Sequence, residues 1–356
     1  MTRQQKAVWA AQRLGCSSDA YNIPVAFRLS GQLDAIALDR ALCELFARHP
    51  VLRSRPGAQG LALEVNDDIP DSVLRVHEDA GQDWSPRLDE KARTPFGADA
   101  PLRLSADLFR TGPQDAVLLL LLDHLAVDAP SVGLLLDDLS ALYAAYADAD
   151  AAHPGPTPED GFFAYARTQL EYEESPEGCR NEEFWAEYVR GATAVPTGWE
   201  LTTGTEASPG TASVGVRLPE DLRRRCEQRG ITPFAALLGA FSLTLQHYFR
   251  TDDLLIGYPA VDWRRSHYPG VVGLYSEMLP FRTPTRQGST ADEYIAQVQD
   301  SVLDCLAHQG GSLAKAWVGG FVHDFEQHLF TSPGGAWRAR EPMFTRTGPG
   351  SLSVED

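Results

Sequence analysis

The sequence lacks most of the features that betray a function at once. Cysteine is sparse and scattered. Cys16, Cys43, Cys179, Cys226 and Cys305 form an odd set of five with no CxxC pair. That argues against a disulfide framework or a structural zinc site, and predicts reduced thiols in a cytoplasmic protein with no metal centre. Positive charge is short: 31 Lys and Arg stand against 49 Asp and Glu, a net charge of −18. Such a balance argues against non-specific nucleic-acid binding, which needs clustered cations to displace counterions. Long apolar runs are absent. The longest, Ala116 to Leu122, has the length of a strand and not of a membrane span. The opening MTRQQKAVWAAQRL lacks the layout of a secretory signal. No GxGxxG follows a strand, and there is no Walker A loop, HExxH or GxSxG. Dinucleotide, nucleoside-triphosphate, zinc-protease and serine-hydrolase readings therefore lack their anchors.

What is present is an ordinary globular mix. The chain has 356 residues and is 43% hydrophobic, enough for a sizeable core in two domains or one large one. Ile23, Val25, Phe27 and Leu29 alternate, predicting a half-buried strand over 22–30. Leu38, Leu42, Leu45 and Phe46 share one face of a helix over 34–48. Leu102, Leu104 and Leu108 indicate another strand, and Ala116 to Leu122 a central one buried on both faces. Pro130 and Ser131 open a helix over 131–147 with Val132, Leu135, Leu136, Leu139 and Tyr143 inward. Residues 147–160 read as a linker, and 161–190 return to helical spacing. A second strand–helix run follows. Val214 and Val216 indicate a strand, a short helix ends at Gly230, and Thr232 with Pro233 caps a helix to Phe249. Strands at 254–256 and 274–281 and a helix over 290–308 complete it. The natural boundary lies near 175, giving an N-terminal lobe 1–175 and a C-terminal lobe 176–356.

The segment LLLLLDHLAVDAPSVGLLLDDL, residues 118–139, concentrates the chemistry. A buried strand runs into Asp123-His124-Leu125-Ala126-Val127-Asp128-Ala129, and a helix follows. A scaffold of this kind can hold a polar group rigidly at a strand mouth, and His is the side chain best suited to move a proton near neutral pH. Spacing alone leaves a second reading open, in which the backbone satisfies His124 and the two Asp residues cap the turn. His49 is read as interacting with a helix C-terminus, His247 as a partly buried structural residue, and Asp137 and Asp138 as a solvated helix face.

The order of several segments resembles the condensation domain of nonribosomal peptide synthetases, within the chloramphenicol-acetyltransferase-like superfamily. TRQQKAVWAAQRL keeps Gln5 and Trp9 of the family's first motif (Ser-x-Ala-Gln-x-Arg-x-Trp). Residues 21–55 are similar to its first strand, first helix and Arg-His-Glu-x-Leu-Arg motif, with Arg48, His49, Leu52 and Arg53 kept and Pro50 in place of Glu. DHLAVDA stands at the His-His-x-x-x-Asp-Gly position. FFAYA (162–166), the stretch 252–282, His308-Gln309 and Arg340 to Phe344 fall in the order of later motifs.

The resemblance implies an α/β (α+β) fold of two chloramphenicol-acetyltransferase-like lobes in a V-shaped pseudo-dimer, the second lobe incomplete and the chain stand-alone. It implies a tunnel entered by the phosphopantetheine arms of two peptidyl or aryl carrier proteins, with no bound cofactor and no membrane partner. The implied reaction joins a carrier-bound acyl thioester to a small-molecule acceptor, an amine or a hydroxyl. His124 matches the catalytic His. Asp128 matches the structural Asp, with Arg264 or Arg265 as its expected ion-pair partner. Asp123 stands where the first His is usual, and Ala129 replaces a Gly expected to serve close approach or a positive φ. Tyr275, Glu277 and Met278 fall on a strand that the family places along the tunnel. Two other readings remain open beside a condensation enzyme: an inactive platform that docks carrier proteins or recruits tailoring enzymes, and a coenzyme A-dependent acyltransferase.

Overall fold

The computed structural model describes residues 1–13, 19, 21–78, 84–97, 100–148, 150–156, 161–192, 218–285, 288–311 and 353–355. The predicted strand around Val214 and Val216 and the 340–344 motif lie outside the described residues. The chain packs as two units. The first holds Met1–Leu170, Trp263–Ser276 and the C-terminal strand; the second holds Glu171–Asp262 and Glu277–Gly334. The hydrophobic pattern alone places 263–276 with the second lobe.

The first unit is built on β1 (Asn22–Ser30), β4 (Leu74–His77), β5 (Leu104–Arg110), β6 (Asp115–Asp123) and β9 (Ser353–Glu355). Their order is β4-β5-β6-β1-β9. β6 pairs antiparallel with β1, Asn22 facing Asp123 and Ser30 facing Asp115, and with β5, Leu104 facing Leu122. Within this sheet only β4 runs parallel to its neighbour, and β2 (Ser54–Pro56) and β3 (Leu63–Val65) form a separate antiparallel pair. The continuous apolar run of β6 is explained by its two covered faces. Leu118, Leu120 and Leu122 enter the main core, whereas Val117 and Leu119 pack with Phe109 against Trp84 and Leu88. Each such buried side chain contributes about 1.5–3 kcal/mol.

Two helices cover the main-core face. α2 (Ala35–Arg48) starts at Asp34, whose carboxylate accepts the Ile36 and Ala37 N–H groups, and buries Leu38, Leu42, Leu45 and Phe46. It packs on α4 (Ala129–Ala147), which buries Val132, Leu135, Leu136, Leu139 and Tyr143, the stripe read from the sequence. α1 (Arg3–Arg13) lays Gln4, Gln5 and Val8 inward, and α3 (Ser85–Ala92) supplies Leu88 on the other face. α5 (Gly161–Glu173) adds Phe162 and Tyr165 to the core.

The second unit is smaller. α6 (Pro176–Tyr188), α7 (Leu222–Glu227), α8 (Pro233–Phe249) and α9 (Ala291–Ala307) accompany a two-stranded sheet of β7 (Leu255–Val261) and β8 (Ser276–Arg282), which begins at the last residue of the first unit. Its core gathers Trp185, Leu238, Ile256, Tyr258, Phe281, Tyr294 and Val298. α8 begins where Thr232 and Pro233 predicted, with the Thr232 hydroxyl accepting the Ala235 N–H. Among the described residues no helix is long and apolar enough to cross a membrane.

Candidate active site

The site is the turn that leaves β6 and enters α4. Strand pairing ends at Asp123, where the Ala126 and Val127 N–H groups fold back onto the Asp123 carbonyl at 2.9 and 3.3 Å. His124 sits on this turn, partly exposed, with its backbone N–H donated to the Tyr21 carbonyl at 2.9 Å. Its Nδ1 lies 2.9 Å from the Val127 carbonyl oxygen. A carbonyl can only accept, so Nδ1 carries the proton, and in the neutral ring Nε2 keeps a free lone pair. Among the described residues Nε2 makes no hydrogen bond.

Two carboxylates bracket the turn, each 1% exposed. Asp128 caps α4: Oδ1 accepts the Ser131 N–H at 3.1 Å. Its Oδ2 accepts the Tyr275 N–H, the Ser276 N–H and the Ser276 hydroxyl at 3.0, 2.9 and 2.9 Å. The expected ion pair with Arg264 or Arg265 is replaced by these four neutral donors. Both arginines lie on the turn Trp263–His267 and stack instead on rings, Arg264 over Trp263 and Arg265 over Tyr275, each 5.3 Å from the centroid. The Ser131 hydroxyl extends the tie by donating to the Gly273 carbonyl at 2.7 Å and accepting its N–H at 3.1 Å. Glycine is required at 273 by close approach, because a Cβ there would overlap the Phe162 ring.

Asp123 is satisfied differently. Its Oδ2 takes Nη1 of Arg103 at 2.9 Å, and its Oδ1 takes the Leu125 N–H at 2.9 Å. Arg103, 1% exposed, also donates from Nε to the Ser54 carbonyl. Burial pushes the Asp123 carboxyl above the ordinary carboxylate value, and the Arg103 guanidinium and the Leu125 N–H pull against it. The guanidinium stays a cation in this buried pocket and donates to the Asp123 carboxyl. Sequence reading missed Arg103. The signal was available, since a buried Asp at a strand end demands a cation or several donors nearby.

Ala129 is the first residue of α4 and has no positive φ. The backbone here asks nothing that Ala cannot give, contrary to the expectation that Gly is needed. Tyr275 is 0% exposed and packs on Tyr165 and Phe162 with centroids 4.6 and 5.4 Å apart. It is therefore a core residue and not the lining of a channel. Met278 packs with Val189, Ala192 and Leu255 in the second unit. Glu277 is buried there too, and its charge ranks behind burial, Cys305 and Tyr188 among the influences that raise the Tyr258 hydroxyl.

Three structural expectations also change. His49 is buried, and its Nε2 lies 2.8 Å from Asp138 Oδ2, so it ties the end of α2 to α4. Asp138 is therefore a partner and not a solvated residue. His247 is exposed.

Against this geometry the relatives are informative. The profile of the Condensation domain matches residues 1–315. The chain belongs to the condensation-domain family. A linear gramicidin synthase polypeptide of Brevibacillus parabrevis is 30% identical over 318 residues, 86% of this chain. The match spans only 6% of that synthase's length. The crystal structure of the X-domain from teicoplanin biosynthesis superposes with a TM-score of 0.75 at 25% identity, covering 89% of this chain and 72% of that one. A second structure of that X-domain, in complex with OxyB, has the same TM-score at 22% identity, covering 100% of this chain and 80% of that one. The first condensation domain of the CDA synthetase gives 0.69 at 23% identity over 87% and 76% of the two chains. The condensation domain thus has the mixed α+β, chloramphenicol-acetyltransferase-like fold expected from its sequence. Domains of this family are acyltransferase-type enzymes of nonribosomal peptide synthesis, and they work with carrier proteins that present substrates on phosphopantetheine.

Proposed function

We propose that this chain catalyses condensation through His124. It would join an acyl group, held as a thioester on a carrier protein, to an acceptor amine or hydroxyl. The observation that carries this reading is the fixed tautomer of His124. With Nδ1–H committed to Val127, Nε2 is the basic nitrogen. The acceptor nitrogen or oxygen attacks the thioester carbonyl, forming the new C–N or C–O bond. Nε2 takes the acceptor's proton, the C–S bond breaks, and the proton passes to the departing thiolate. Throughout, the Nδ1–H bond to Val127 holds the ring in line, which contributes by orientation as well as by proton transfer. Asp128 serves as a structural residue in this scheme, because both its oxygens are committed to the Ser131, Tyr275 and Ser276 donors.

The test is mass-spectrometric transfer between loaded carrier proteins. His124→Ala is expected to lower turnover by about 10²–10⁴-fold. Unchanged turnover would sink the mechanism. A second reading is supported by the match to the teicoplanin X-domain and by Asp123 at the first motif position. In it the chain is a platform that binds carrier proteins or another enzyme and does no chemistry. Tight carrier binding with no transfer for any donor–acceptor pair would select that reading.

A further inference from the structure

We infer that Gln5 is a positioning residue for His124, acting through the backbone of Leu125; the inference rests on His124 being the proton acceptor. Gln5 lies in the first turn of α1 and is 0% exposed. Both ends of its amide are fixed. Oε1 accepts the Thr2 N–H at 3.1 Å, so Nε2 is the end that faces the Leu125 carbonyl, at 3.0 Å. The Gln5 N–H in turn goes to the Thr2 hydroxyl at 3.2 Å.

Leu125 is the residue after His124, and its two backbone groups are held from opposite directions. Its N–H goes to the Asp123 carboxylate, itself anchored by Arg103, and its C=O goes to Gln5. Leu125 is buried, so water cannot replace the amide as donor. Without Gln5, the Leu125–Ala126 peptide has a reason to rotate towards another donor. That rotation would shift Val127, whose carbonyl fixes the imidazole from two residues further along the turn. Gln5 therefore sets the tautomer and direction of His124 without touching it. Two buried groups 120 positions apart meet at this one hydrogen bond.

The experiment uses Gln5→Glu and Gln5→Met in the full chain, with carrier-loaded substrates. A carboxylate at position 5 still accepts from Thr2 but has no hydrogen for Leu125. The expected result is a fall in kcat of about 10–100-fold at neutral and alkaline pH, with KM for both carriers held within roughly twofold. As pH falls, the introduced carboxylate gains a proton that it can donate to Leu125, so the ratio of variant to wild-type kcat rises. Gln5→Met has no donor at any pH, so its loss is equal in size and its ratio does not recover. It carries the test should Gln5→Glu not fold. Imidazole ¹⁵N spectra give a readout independent of turnover: one Nδ1–H tautomer for His124 in the wild type, a mixture in Gln5→Met. Unchanged kcat, or a single Nδ1–H tautomer in Gln5→Met, overturns the inference. If the wild type and His124→Ala transfer alike, the proposed function fails, while the tautomer measurement still decides the role of Gln5.

Discussion

The two ends of the His124 turn solve the same problem by opposite means. At the strand end, Asp123 is held by one full cation and one peptide; at the helix end, Asp128 is held by four neutral donors. Both carboxylates are out of water. Charge pairing concentrates the satisfaction of Asp123 in Arg103, so loss of one group exposes the other. Neutral donors share the load on Asp128, and they bring together two distant segments of chain. The comparison teaches that equal burial does not mean equal vulnerability.

The strand end should break hardest. Asp123→Asn takes the Asp123 carboxylate away from the buried Arg103, an expected loss of about 3–5 kcal/mol in urea unfolding. Adding Arg103→Met to that variant should recover more than half of the loss. If the double variant is no more stable than the single one, the pair is not the unit of stability argued above. The helix end should lose less. Asp128→Asn turns one oxygen into a donor, which cannot serve both the Ser131 N–H and the Tyr275–Ser276 side. The expected cost is about 2–3 kcal/mol, read as a lower Tm.

A third carboxylate sharpens the scale. Asp138 on α4 is half-buried, at 2.8 Å from His49 and 3.4 Å from Arg48. Burial would raise its carboxyl, but His49 and Arg48 outweigh that and hold it below the ordinary value. Its stabilisation is therefore present above the unfolded carboxylate pKa of about 3.9 and is lost as pH falls through the lower folded value. Asp138→Asn should cost about 1–2 kcal/mol near neutral pH and flatten the acid limb of stability below about pH 4. An unchanged acid limb would remove Asp138 from this account. The smallest effect belongs to Ala129→Gly. With Ala already in a comfortable helical φ, this change should cost about 0.5–1 kcal/mol and give no gain in transfer.

How much of this was readable in the sequence differs by type of information. The elements with strong periodicity stand where the pattern puts them: β1, β6, α4 with its inward stripe, and α8 with its Thr232–Pro233 start. β2, β3 and β4 are three or four residues long, too short for alternation to register. The His124 turn was legible because a buried strand, a polar turn and a capped helix adjoin in sequence. Its partners were not. Arg103 is 20 positions from Asp123, Gln5 is 120 from Leu125, and Tyr275 is 147 from Asp128. Gln5 was visible as part of a motif, yet nothing local says which carbonyl its amide reaches. The expected partnership of Asp128 with an arginine failed for the same reason: charge complementarity suggested a cation, whereas tertiary structure delivered peptide N–H groups.

The tie between Asp128 and Ser276 also has a consequence in time. A ribosome adding about 5–20 residues per second needs about 7–30 s to travel from one to the other. Through that interval the nascent chain carries Asp128 without its Tyr275 and Ser276 donors. β1 and β6, by contrast, are both already made. The β4-β5-β6-β1 part of the sheet can therefore assemble early during synthesis, while the turn that bears His124 acquires its final set of contacts only after the segment ending at Ser276 has emerged.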